Sequence, residues 1–296
     1  MSFYKDKNIL ITGGGSLGSE LVSQLQDMNP RSIRIFDHSQ QGLYRCEQRF
    51  RRDSRISYIL GDVTDYDAVE RALPGVNLLI HTAARKFVNY AEYYPIEAIR
   101  TNIGGTLNVV KAAIRESSVE KAIVISSDKA CNPCNVYGLT KAMQERLFTW
   151  ASRVSPKAFC TIRFPNFLGS AGSVIETWKK QAAEGLPLTI TDERMARYFI
   201  DISDAASRTL QALNKAEGGE IYIPADLEEK NIKDLAKEYG DKIEVIGRRP
   251  GERLHEVLLT EDERDMVTME DNFWKIDTRK DYLGTPHYLY DTYKEK

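Results

Sequence analysis

The stretch that decides the fold reads Ile9-Leu-Ile-Thr-Gly-Gly-Gly-Ser-Leu-Gly18, an apolar run that passes directly into glycines. Gly13, Gly15 and Gly18 satisfy the spacing G-x-G-x-x-G. The first glycine permits a tight turn, the second lets a pyrophosphate approach the backbone, and the third lets a helix pack closely on the strand. The helix that opens at Ser16-Leu17 would then present N–H groups and the positive end of its dipole to phosphates. The pattern predicts a strand, a phosphate-binding turn and a helix.

A carboxylate nineteen residues past Gly18 indicates which dinucleotide binds. The second apolar run ends at Asp37, where a carboxylate accepts hydrogen bonds from the adenosine ribose and repels a 2′-phosphate. We therefore expect NAD, with NADP possible if Arg34 compensates; the alternative for Asp37 is a helix N-cap. Asp62-Val63 follow the third run and are expected near the adenine, although a turn role for Asp62 is equally open. Ala83, after the fourth run, and Lys141 complete the predicted cofactor site.

Short β-rich runs alternate with amphipathic stretches through the first half of the chain. Mostly apolar strands separated by helices predict a parallel sheet buried on both faces. Right-handed crossovers would make it a doubly wound Rossmann layer. The predicted strands are 8–12, 32–37, 55–60, 78–82, 121–126, 220–223 and 242–246, and the predicted helices include 17–26, 43–51, 95–116 and 174–184.

The alternation of predicted strands and helices becomes less regular after about residue 163, which suggests a second unit. We expect an α/β protein with a Rossmann domain formed by residues 1–164 and about 201–225. A smaller C-terminal substrate-binding lobe is expected from residues 165–200 and 226–296.

Composition excludes several classes of protein. Lys and Arg total 41 against 43 acidic residues, which gives no electrostatic reason to expect nucleic acid or an anionic membrane as partner. No apolar stretch approaches the roughly 18 residues of a membrane helix, and the start lacks the apolar core of a signal peptide. A cytoplasmic location is the expectation. Cys131-Asn-Pro-Cys134 spells C-x-x-C, but a zinc site would need a second pair, so we expect a turn and no metal.

A second motif carries the chemistry. Ser127-Asp128-Lys129 follow the fifth predicted strand, at the sheet edge where ligands bind in open α/β folds. Tyr137 and Lys141 are four residues apart and share one face of the next helix. A tyrosine needs a nearby cation to work as a base near neutral pH, and Ser127 can hold a substrate oxygen beside it. The non-catalytic alternative for Asp128-Lys129 is a solvated ion pair in a turn.

These residues together resemble a known family. The sequence from Ser126 to Lys141, Ser-Ser-Asp-Lys-Ala-Cys-Asn-Pro-Cys-Asn-Val-Tyr-Gly-Leu-Thr-Lys, is similar to the signature of UDP-N-acetylglucosamine 4,6-dehydratases, which are extended short-chain dehydrogenase/reductases of surface-polysaccharide pathways. Further similar stretches are 85–88, 95–106, 168–174, 191–198 and 249–256, so the resemblance covers about residues 8–260. The chain departs from the family in a glycine loop one residue shorter and in Pro165-Asn166, where Gly-Asn is common.

The resemblance implies a mechanism. Tyr137 would take the proton of the sugar 4-hydroxyl while hydride leaves C4 for NAD⁺. Lys129 would remove the C5 proton, and Asp128 would protonate the departing 6-hydroxyl, giving a 4-keto-6-deoxy sugar; some short relatives also invert C5. Arg197 and Arg249 are predicted to grip the UDP phosphates, with surface salt bridges as the alternative. The other predicted substrate residues are Lys86, Asn166 and Glu252.

The resemblance also implies an oligomer and leaves two rival functions. Helices 95–116 and 137–153 are similar to the family's dimerisation pair, so a homo-oligomer is expected. A UDP-sugar 4-epimerase would use the same cofactor, Tyr137 and Lys141, but has no use for Asp128-Lys129. A non-catalytic NAD(P)-binding scaffold on the same fold is the remote alternative.

Overall fold

The computed structural model describes residues 3–169 and 172–279. Its strands, numbered along the chain, are β1 (Asn8–Thr12), β2 (Ser32–Asp37), β3 (Ile56–Leu60), β4 (Leu78–His81), β5 (Lys121–Ser127), β6 (Ala158–Phe164), β7 (Asn166–Leu168), β8 (Leu188–Ile190), β9 (Ala196–Asp201), β10 (Glu220–Pro224), β11 (Glu228–Asn231), β12 (Ile243–Val245), β13 (Val267–Glu270) and β14 (Phe273–Asp277). Its helices are α1 (Ser16–Gln26), α2 (Gln40–Phe50), α3 (Tyr66–Ala72), α4 (Val88–Tyr93), α5 (Pro95–Ala98), α6 (Thr106–Arg115), α7 (Val136–Val154), α8 (Val174–Ala183), α9 (Ile202–Lys215), α10 (Ile232–Lys237) and α11 (Glu261–Arg264). A π-helical segment spans Ile99–Gly105 and a 3₁₀ turn spans Asp128–Ala130.

A nine-stranded sheet forms the centre of the fold, in the order β13-β14-β10-β6-β5-β4-β1-β2-β3. The strands from β10 to β3 in this order run parallel. Alternate residues of β1 enter different cores: Ile9 and Ile11 pack on one face, and Leu10 packs on the other. Both faces are therefore covered, which confirms the predicted doubly wound Rossmann layer. The strand order reverses between β1 and β4, where such sheets bind ligands beyond the carboxyl ends of the strands.

The predicted helix over residues 95–116 is interrupted. It consists of α5, the π-helical segment and α6, and Asn102 within the π-helical segment is fully buried. The Asn102 Oδ1 atom accepts the Arg85 N–H at 2.7 Å, and its Nδ2 atom donates to Thr140 Oγ1 at 2.9 Å. One-turn π segments of this kind are frequent at functional sites. This one ties the loop after β4 to helix α7.

Two small sheets lie within the part of the chain predicted to form a lobe. One has the order β11-β9-β7, and the other pairs β12 with β8. Trp178 of α8, which is fully buried, packs in a separate core with Leu188 and Leu235. The division into two domains remains a proposal.

The hairpin of β13 and β14 departs from the predicted lobe of residues 226–296. β14 pairs antiparallel with β10, so residues 267–277 extend the central sheet. Phe273 and Ile276 are buried, and Phe273 contacts Tyr222 of β10 with ring centroids 5.6 Å apart. Burial of one aromatic and one aliphatic side chain against β10 favours this position. No hydrophobic periodicity in the local sequence indicated it. Residues 280–296 of the predicted lobe, and Ser170-Ala171 of the family-like stretch, lie outside the described residues.

His81, at the end of β4, is held neutral by its surroundings. Its Nδ1 atom lies 2.6 Å from Thr12 Oγ1 and its Nε2 atom lies 2.9 Å from Thr106 Oγ1. Burial, together with the charge of Lys141, lowers the pKa of His81 to about 3. The histidine therefore has a structural role in joining β1, β4 and α6.

Folding stability is expected to fall in acid because of His81. An unfolded histidine, with a pKa of about 6.5, binds a proton between pH 6.5 and pH 3 that the folded protein does not bind. This group alone should lower the free energy of unfolding by about 2 kcal/mol between pH 7 and pH 5. Urea unfolding at both pH values should show a smaller loss in His81→Gln than in the wild type. The exposed His255→Gln variant is the control, and equal losses in wild type and His81→Gln would contradict the assignment.

Candidate active site

A cavity of about 720 Å³ lies at the carboxyl ends of β1, β4 and β5, and its other wall comes from the small sheets. This volume is in the range of small-molecule sites, roughly 300–1,000 Å³. The structure brings nearly all predicted site residues to its lining: Gly13, Gly15, Ser16, Leu17, Gly18, Asp37, Asp62, Val63, Ala83, Lys86, Ser127, Lys129, Tyr137, Lys141, Asn166, Arg197, Arg249 and Glu252. The exception is Asp128, which is fully buried behind the surface.

The conformation of the glycine loop leaves no room for side chains at Gly13 and Gly18. Gly13 has a φ of 95°, and a Cβ atom there would lie 2.5 Å from Thr82 Oγ1. A Cβ atom on Gly18 would lie 1.9 Å from the Gly13 carbonyl oxygen, so α1 packs on β1 only because this residue is glycine. At Gly15 a Cβ atom would meet nothing within 4 Å, and this residue borders the cavity. These residues fit the pyrophosphate of a dinucleotide.

Asp37 has a fixed orientation at the edge of this cradle. Its Oδ2 atom accepts the Gly14 N–H at 2.6 Å, and its Oδ1 atom accepts the Ser39 N–H at 2.7 Å. The N-cap of α2 is Ser39, whose hydroxyl oxygen accepts the Gly42 N–H, so Asp37 does not have the alternative N-cap role. Asp62 accepts the Thr64 N–H in a turn while also lining the cavity.

Tyr137 and Lys141 lie one turn apart on α7, which begins after the N-cap Asn135. Lys141 Nζ donates to the Ile125 carbonyl at 2.6 Å and to Gln144 Oε1 at 2.5 Å. Burial lowers the pKa of Lys141 to about 7. Burial and the nearby charge of Asp128 raise the pKa of Tyr137 well above its usual value, against a smaller lowering by a hydrogen bond with Ser127. The folded chain alone thus shifts the pKa of Tyr137 away from that of a base working near neutral pH.

Ser127, Asp128 and Lys129 form a compact cluster at the end of β5. The Asp128 Oδ1 atom accepts hydrogen bonds from Ser127 Oγ at 2.8 Å and from Lys129 Nζ at 2.9 Å. Lys129 Nζ also donates to Asn166 Oδ1 at 3.3 Å. Asp128 has no exposed surface, so the pair is not a solvated ion pair in a turn. Within residues 3–169 and 172–279, the Asp128 Oδ2 atom has no hydrogen-bond partner.

The basic residues predicted to grip phosphate differ in their surroundings. Arg197 donates to the carbonyl oxygens of Leu254, at 2.8 Å, and Arg253, at 2.6 Å, so its guanidinium joins β9 to the C-terminal segment. Arg249 keeps 55% of its side-chain surface exposed, and the Glu252 carboxylate accepts the backbone N–H of Arg249 at 2.9 Å. Burial lowers the pKa of Lys86, which lies over the Phe87 ring. Their contacts with substrate remain predictions.

The C-x-x-C pair has the features of a structural turn. Cys131 is buried and Cys134 is exposed, and both are free thiols. Burial raises the pKa of the Cys131 thiol to about 12, which disfavours the reactive thiolate. In the described ranges, no group of three or more potential side-chain ligands could hold a metal ion.

The structure adds two features that sequence reasoning missed. Glu256 lines the cavity although only 5% of its surface is exposed. It stands at the end of the family-like stretch 249–256, and that position was the one available signal. Arg163 of β6 is buried and binds Glu145 of α7 at 2.8 Å and Glu263 of α11 at 2.9 Å. No sequence spacing indicated this bridge, because its members are far apart in the chain.

None of the helices in the described part of the chain combines the length and apolar composition needed to cross a bilayer.

Comparison with known proteins gives consistent matches along the chain. A family model described as "Polysaccharide biosynthesis protein" matches residues 9–278. A UDP-N-acetylglucosamine 4,6-dehydratase (inverting) of Campylobacter jejuni is 37% identical over 281 residues, covering 92% of this chain and 83% of the relative. The structure of Pen from Bacillus thuringiensis superposes with a TM-score of 0.89 at 37% identity, covering 93% of this chain and 89% of that one.

A more distant solved structure shares the fold. DesIV, a dTDP-glucose 4,6-dehydratase from Streptomyces venezuelae with NAD and TYD bound, has a TM-score of 0.79 at 22% identity, with 86% of this chain and 89% of that chain covered. Relatives more than 30% identical to the chain include both dehydratases and epimerases of nucleotide sugars. The family expected from the residues is thereby confirmed, and the chain belongs to the polysaccharide biosynthesis family of nucleotide-sugar dehydratases and epimerases.

Proposed function

We propose that the protein is an NAD-dependent 4,6-dehydratase of UDP-N-acetylglucosamine. The observation that carries this proposal is the buried cluster of Ser127, Asp128 and Lys129 beside Tyr137. Oxidation and reduction at C4 need only the tyrosine, whereas removal of water across C5 and C6 needs a further acid and base. The 37% identity to a dehydratase acting on this sugar supports the same choice.

The cofactor part of the proposal rests on the glycine cradle and Asp37. Gly15 leaves room for phosphate, and the Asp37 carboxylate, fixed by two backbone N–H groups, would accept the ribose hydroxyls. A 2′-phosphate beside that carboxylate would be repelled, which favours NAD over NADP. A neighbour of the same fold has NAD bound. When bound, NAD supplies a reversible acceptor for the hydride exchanged with the sugar.

The residues of the chain move the protons. Tyr137 takes the proton of the 4-hydroxyl, which allows C4 to become a ketone. The ketone makes the C5–H bond acidic, and Lys129 removes that proton as the free amine, its own ammonium proton having passed to Asp128 across their 2.9 Å hydrogen bond. Asp128, the carboxyl group beside Lys129, then delivers a proton to the 6-hydroxyl, which is the role that the family resemblance implies for it. The face of the sugar from which C5 takes a proton back decides whether the configuration at C5 is inverted.

A 4-epimerase is the second candidate, because UDP-glucose 4-epimerases are also relatives of this chain. It would leave the buried Asp128–Lys129 pair without a chemical use. A pair of charges is costly to bury, so its presence in the cavity wall without such a use would need another reason. The shifted pKa values of Tyr137 and Lys141 argue against a non-catalytic scaffold, because perturbed titratable groups cluster at functional sites.

Product analysis distinguishes these functions directly. With UDP-N-acetylglucosamine, the protein is expected to form a 4-keto-6-deoxy product, seen by proton NMR as a new C6 methyl signal. UDP-glucose incubated in parallel tests the preference for the N-acetyl group. A C4 epimer without any methyl signal would establish the epimerase, and binding without turnover of either sugar would establish the scaffold.

The proposed enzyme is a homo-oligomer. Helices α5 and α7, which overlap the ranges 95–116 and 137–153 that the family resemblance assigns to dimerisation, carry exposed apolar side chains, and the neighbouring α4 and Tyr94 add more. The most exposed of them are Tyr90, Tyr93, Tyr94, Ile96, Leu139 and Met143. A surface of this kind is typical of a protein–protein contact.

A further inference from the structure

A line of buried polar side chains runs from Lys141 into the interior of the protein. Lys141 Nζ donates to Gln144 Oε1, and Gln144 Nε2 donates to Thr106 Oγ1, each at 2.5 Å. His81 Nε2 lies 2.9 Å from the same Thr106 oxygen, and His81 Nδ1 lies 2.6 Å from Thr12 Oγ1. None of these five residues is more than 4% exposed. The lysine at the cavity is thus connected to a hydrogen-bonded network that is buried from solvent.

The hydrogen bonds of Thr106 fix the orientation of the Gln144 amide. Thr106 Oγ1 donates to the Asn102 carbonyl at 2.6 Å, and a carbonyl can only accept. A hydroxyl has one hydrogen and two lone pairs, so Thr106 accepts from Gln144 Nε2 and from His81 Nε2. With its nitrogen held there, Gln144 turns its oxygen towards Lys141, whose ammonium group can only donate. The contacts at both ends of the amide therefore require the same orientation.

The position of the Lys141 ammonium group follows from its two acceptors. Within the residues that the structure describes, one N–H donates to the Ile125 carbonyl at 2.6 Å and a second donates to Gln144. An ammonium group has three N–H groups, so the third remains for the cavity, which Lys141 and Tyr137 both line. Without the Gln144 oxygen, the ammonium group would keep a single fixed acceptor and could rotate about it. Gln144 thus determines the direction of the third N–H.

Glu145, the next residue on α7, does not have this role. Its charge favours the ammonium form of Lys141 and so raises the pKa of that lysine, but its oxygens accept from Ser126 Oγ at 2.6 Å and from Arg163 at 2.8 Å. In the described part of the chain, Gln144 is therefore the side chain that accepts a hydrogen bond from Lys141. An apolar residue would fill the same place without the cost of burying an amide, so the contact with Lys141 gives the glutamine a function.

We propose that Gln144 is a positioning residue that holds Lys141 in its ammonium form with one N–H directed into the cavity. Gln144 is fully buried and does not line the cavity, so it acts on the reaction through Lys141. The catalytic consequence rests on the proposed function, in which Tyr137 takes the proton of the 4-hydroxyl. A cation near a tyrosine favours the phenolate form and so helps the tyrosine to accept that proton.

The pKa of Lys141 reports the contact with Gln144, because a hydrogen bond to a charged form stabilises that form. Burial lowers this pKa to about 7, against the opposing charge of Glu145. Gln144→Met keeps the length of the side chain but removes the acceptor, so the pKa should fall further. Gln144→Glu replaces the amide by a carboxylate, so the pKa should rise. The other titratable and charged groups around Lys141 are the same in both variants: Tyr137 and Glu145 on α7, Arg163 on β6, Asp128 after β5, and His81 on β4.

The first measurement is an NMR titration of the full chain with NAD bound and with its lysines labelled by carbon-13 at Cε. The signal of Lys141 is the one that is missing from Lys141→Met. Its pKa should be lower than in wild type by about one pH unit in Gln144→Met, the size expected for one hydrogen bond to a charged group. It should be higher than in wild type in Gln144→Glu. Gln211→Met, an exposed change on α9, is the control and should leave it unchanged.

Two results of the titration would overturn the proposal. One is a pKa of Lys141 that Gln144→Met leaves unchanged or raises. If Gln144→Met does not fold, Gln144→Glu decides in its place, because it keeps an acceptor for Lys141 and for Thr106. A pKa equal to or below that of the wild type in Gln144→Glu is the other contrary result.

The second measurement separates positioning of Lys141 from a general loss of structure. It follows NADH absorbance, which reports C4 oxidation, on mixing with UDP-N-acetylglucosamine between pH 6 and pH 8. The rate of Gln144→Met relative to wild type should fall from about one half at pH 6 to about one tenth at pH 8, because Lys141 loses its proton about one pH unit earlier. Calorimetric binding of the UDP-sugar should be unchanged. A ratio that stays constant with pH would assign Gln144 a structural role only and would overturn the proposal.

The outcomes also separate this inference from the function on which it rests. C4 oxidation is common to a dehydratase and an epimerase, so the pH dependence tests Gln144 under either activity. A wild type that forms no NADH with any UDP-hexose refutes the proposed function, while the NMR titration still decides whether Gln144 holds the Lys141 proton. A wild type that forms NADH, together with an unchanged pKa of Lys141 in Gln144→Met, refutes only the role of Gln144.

Discussion

Tyr137→Phe is expected to abolish turnover while leaving substrate binding nearly unchanged. The phenyl ring keeps the packing of this buried position, and the variant loses only the oxygen that accepts the 4-hydroxyl proton. Removal of a positioned base costs about 10²–10⁴-fold. Because C4 oxidation is the first step, its loss should suppress the NADH absorbance, C5 exchange and product formation together. Stopped-flow absorbance and calorimetric binding of the UDP-sugar measure the two halves of this prediction.

Tyr44→Phe is the matched control for Tyr137→Phe, since Tyr44 lies on α2 outside the cavity and keeps 59% of its surface exposed. Its activity should equal that of the wild type. If Tyr137→Phe still gives NADH absorbance at the wild-type rate, another group takes the 4-hydroxyl proton. A parallel loss of sugar binding would instead assign Tyr137 a binding role.

Lys129→Met is expected to stop deuterium exchange at C5 and to lower product formation by about 10²–10⁴-fold. C4 oxidation should continue, since it precedes the step that Lys129 performs, and so the NADH absorbance should appear and persist. Methionine keeps the length of the apolar stem but cannot accept a proton. Proton NMR of substrate recovered from D₂O measures the exchange, and the methyl signal measures the product.

Stability is the main complication for Lys129→Met. The change leaves the buried Asp128 carboxylate without its cation, a loss that costs about 3–5 kcal/mol when a buried pair is broken. The double variant Asp128→Asn/Lys129→Met removes that charge and should recover stability without recovering C5 exchange. Lys180→Met, on the exposed side of α8, is the control for the loss of a lysine. Wild-type exchange in the double variant would show that Lys129 is not the base.

Tyr137→Phe and Lys129→Met are expected to stop the reaction at different points. Tyr137→Phe should leave the cofactor oxidised, and Lys129→Met should leave it reduced with C5 unexchanged. These results differ because the two side chains are assigned to two successive proton transfers. An epimerase would show none of the C5 effects.

The sequence by itself determined the fold and the family of this protein. Apolar runs of strand length separated by helical periods predicted the parallel sheet, and the bounds of β1 and β2 agree with the prediction residue for residue. These signals are local, because a strand buried on both faces must be apolar throughout and a phosphate turn must have its glycines. Since the carboxyl ends of parallel strands meet at one edge, the motifs after β1, β2 and β5 were expected near one another, and they border one cavity.

Only the tertiary structure decided which of these groups reach the cavity and in what electrostatic state. Asp128 and Lys129 are adjacent in sequence, yet one is fully buried and the other lines the cavity. Glu256 lines the same cavity because contacts hold the segment before it: Leu254 bonds to a residue 57 positions earlier, and Arg253 to one 121 positions earlier. Burial and pKa depend on neighbours brought together by folding, which no local period or spacing records. The pairing of β14 with β10 and the inward turn of Asn102 were undetermined for the same reason.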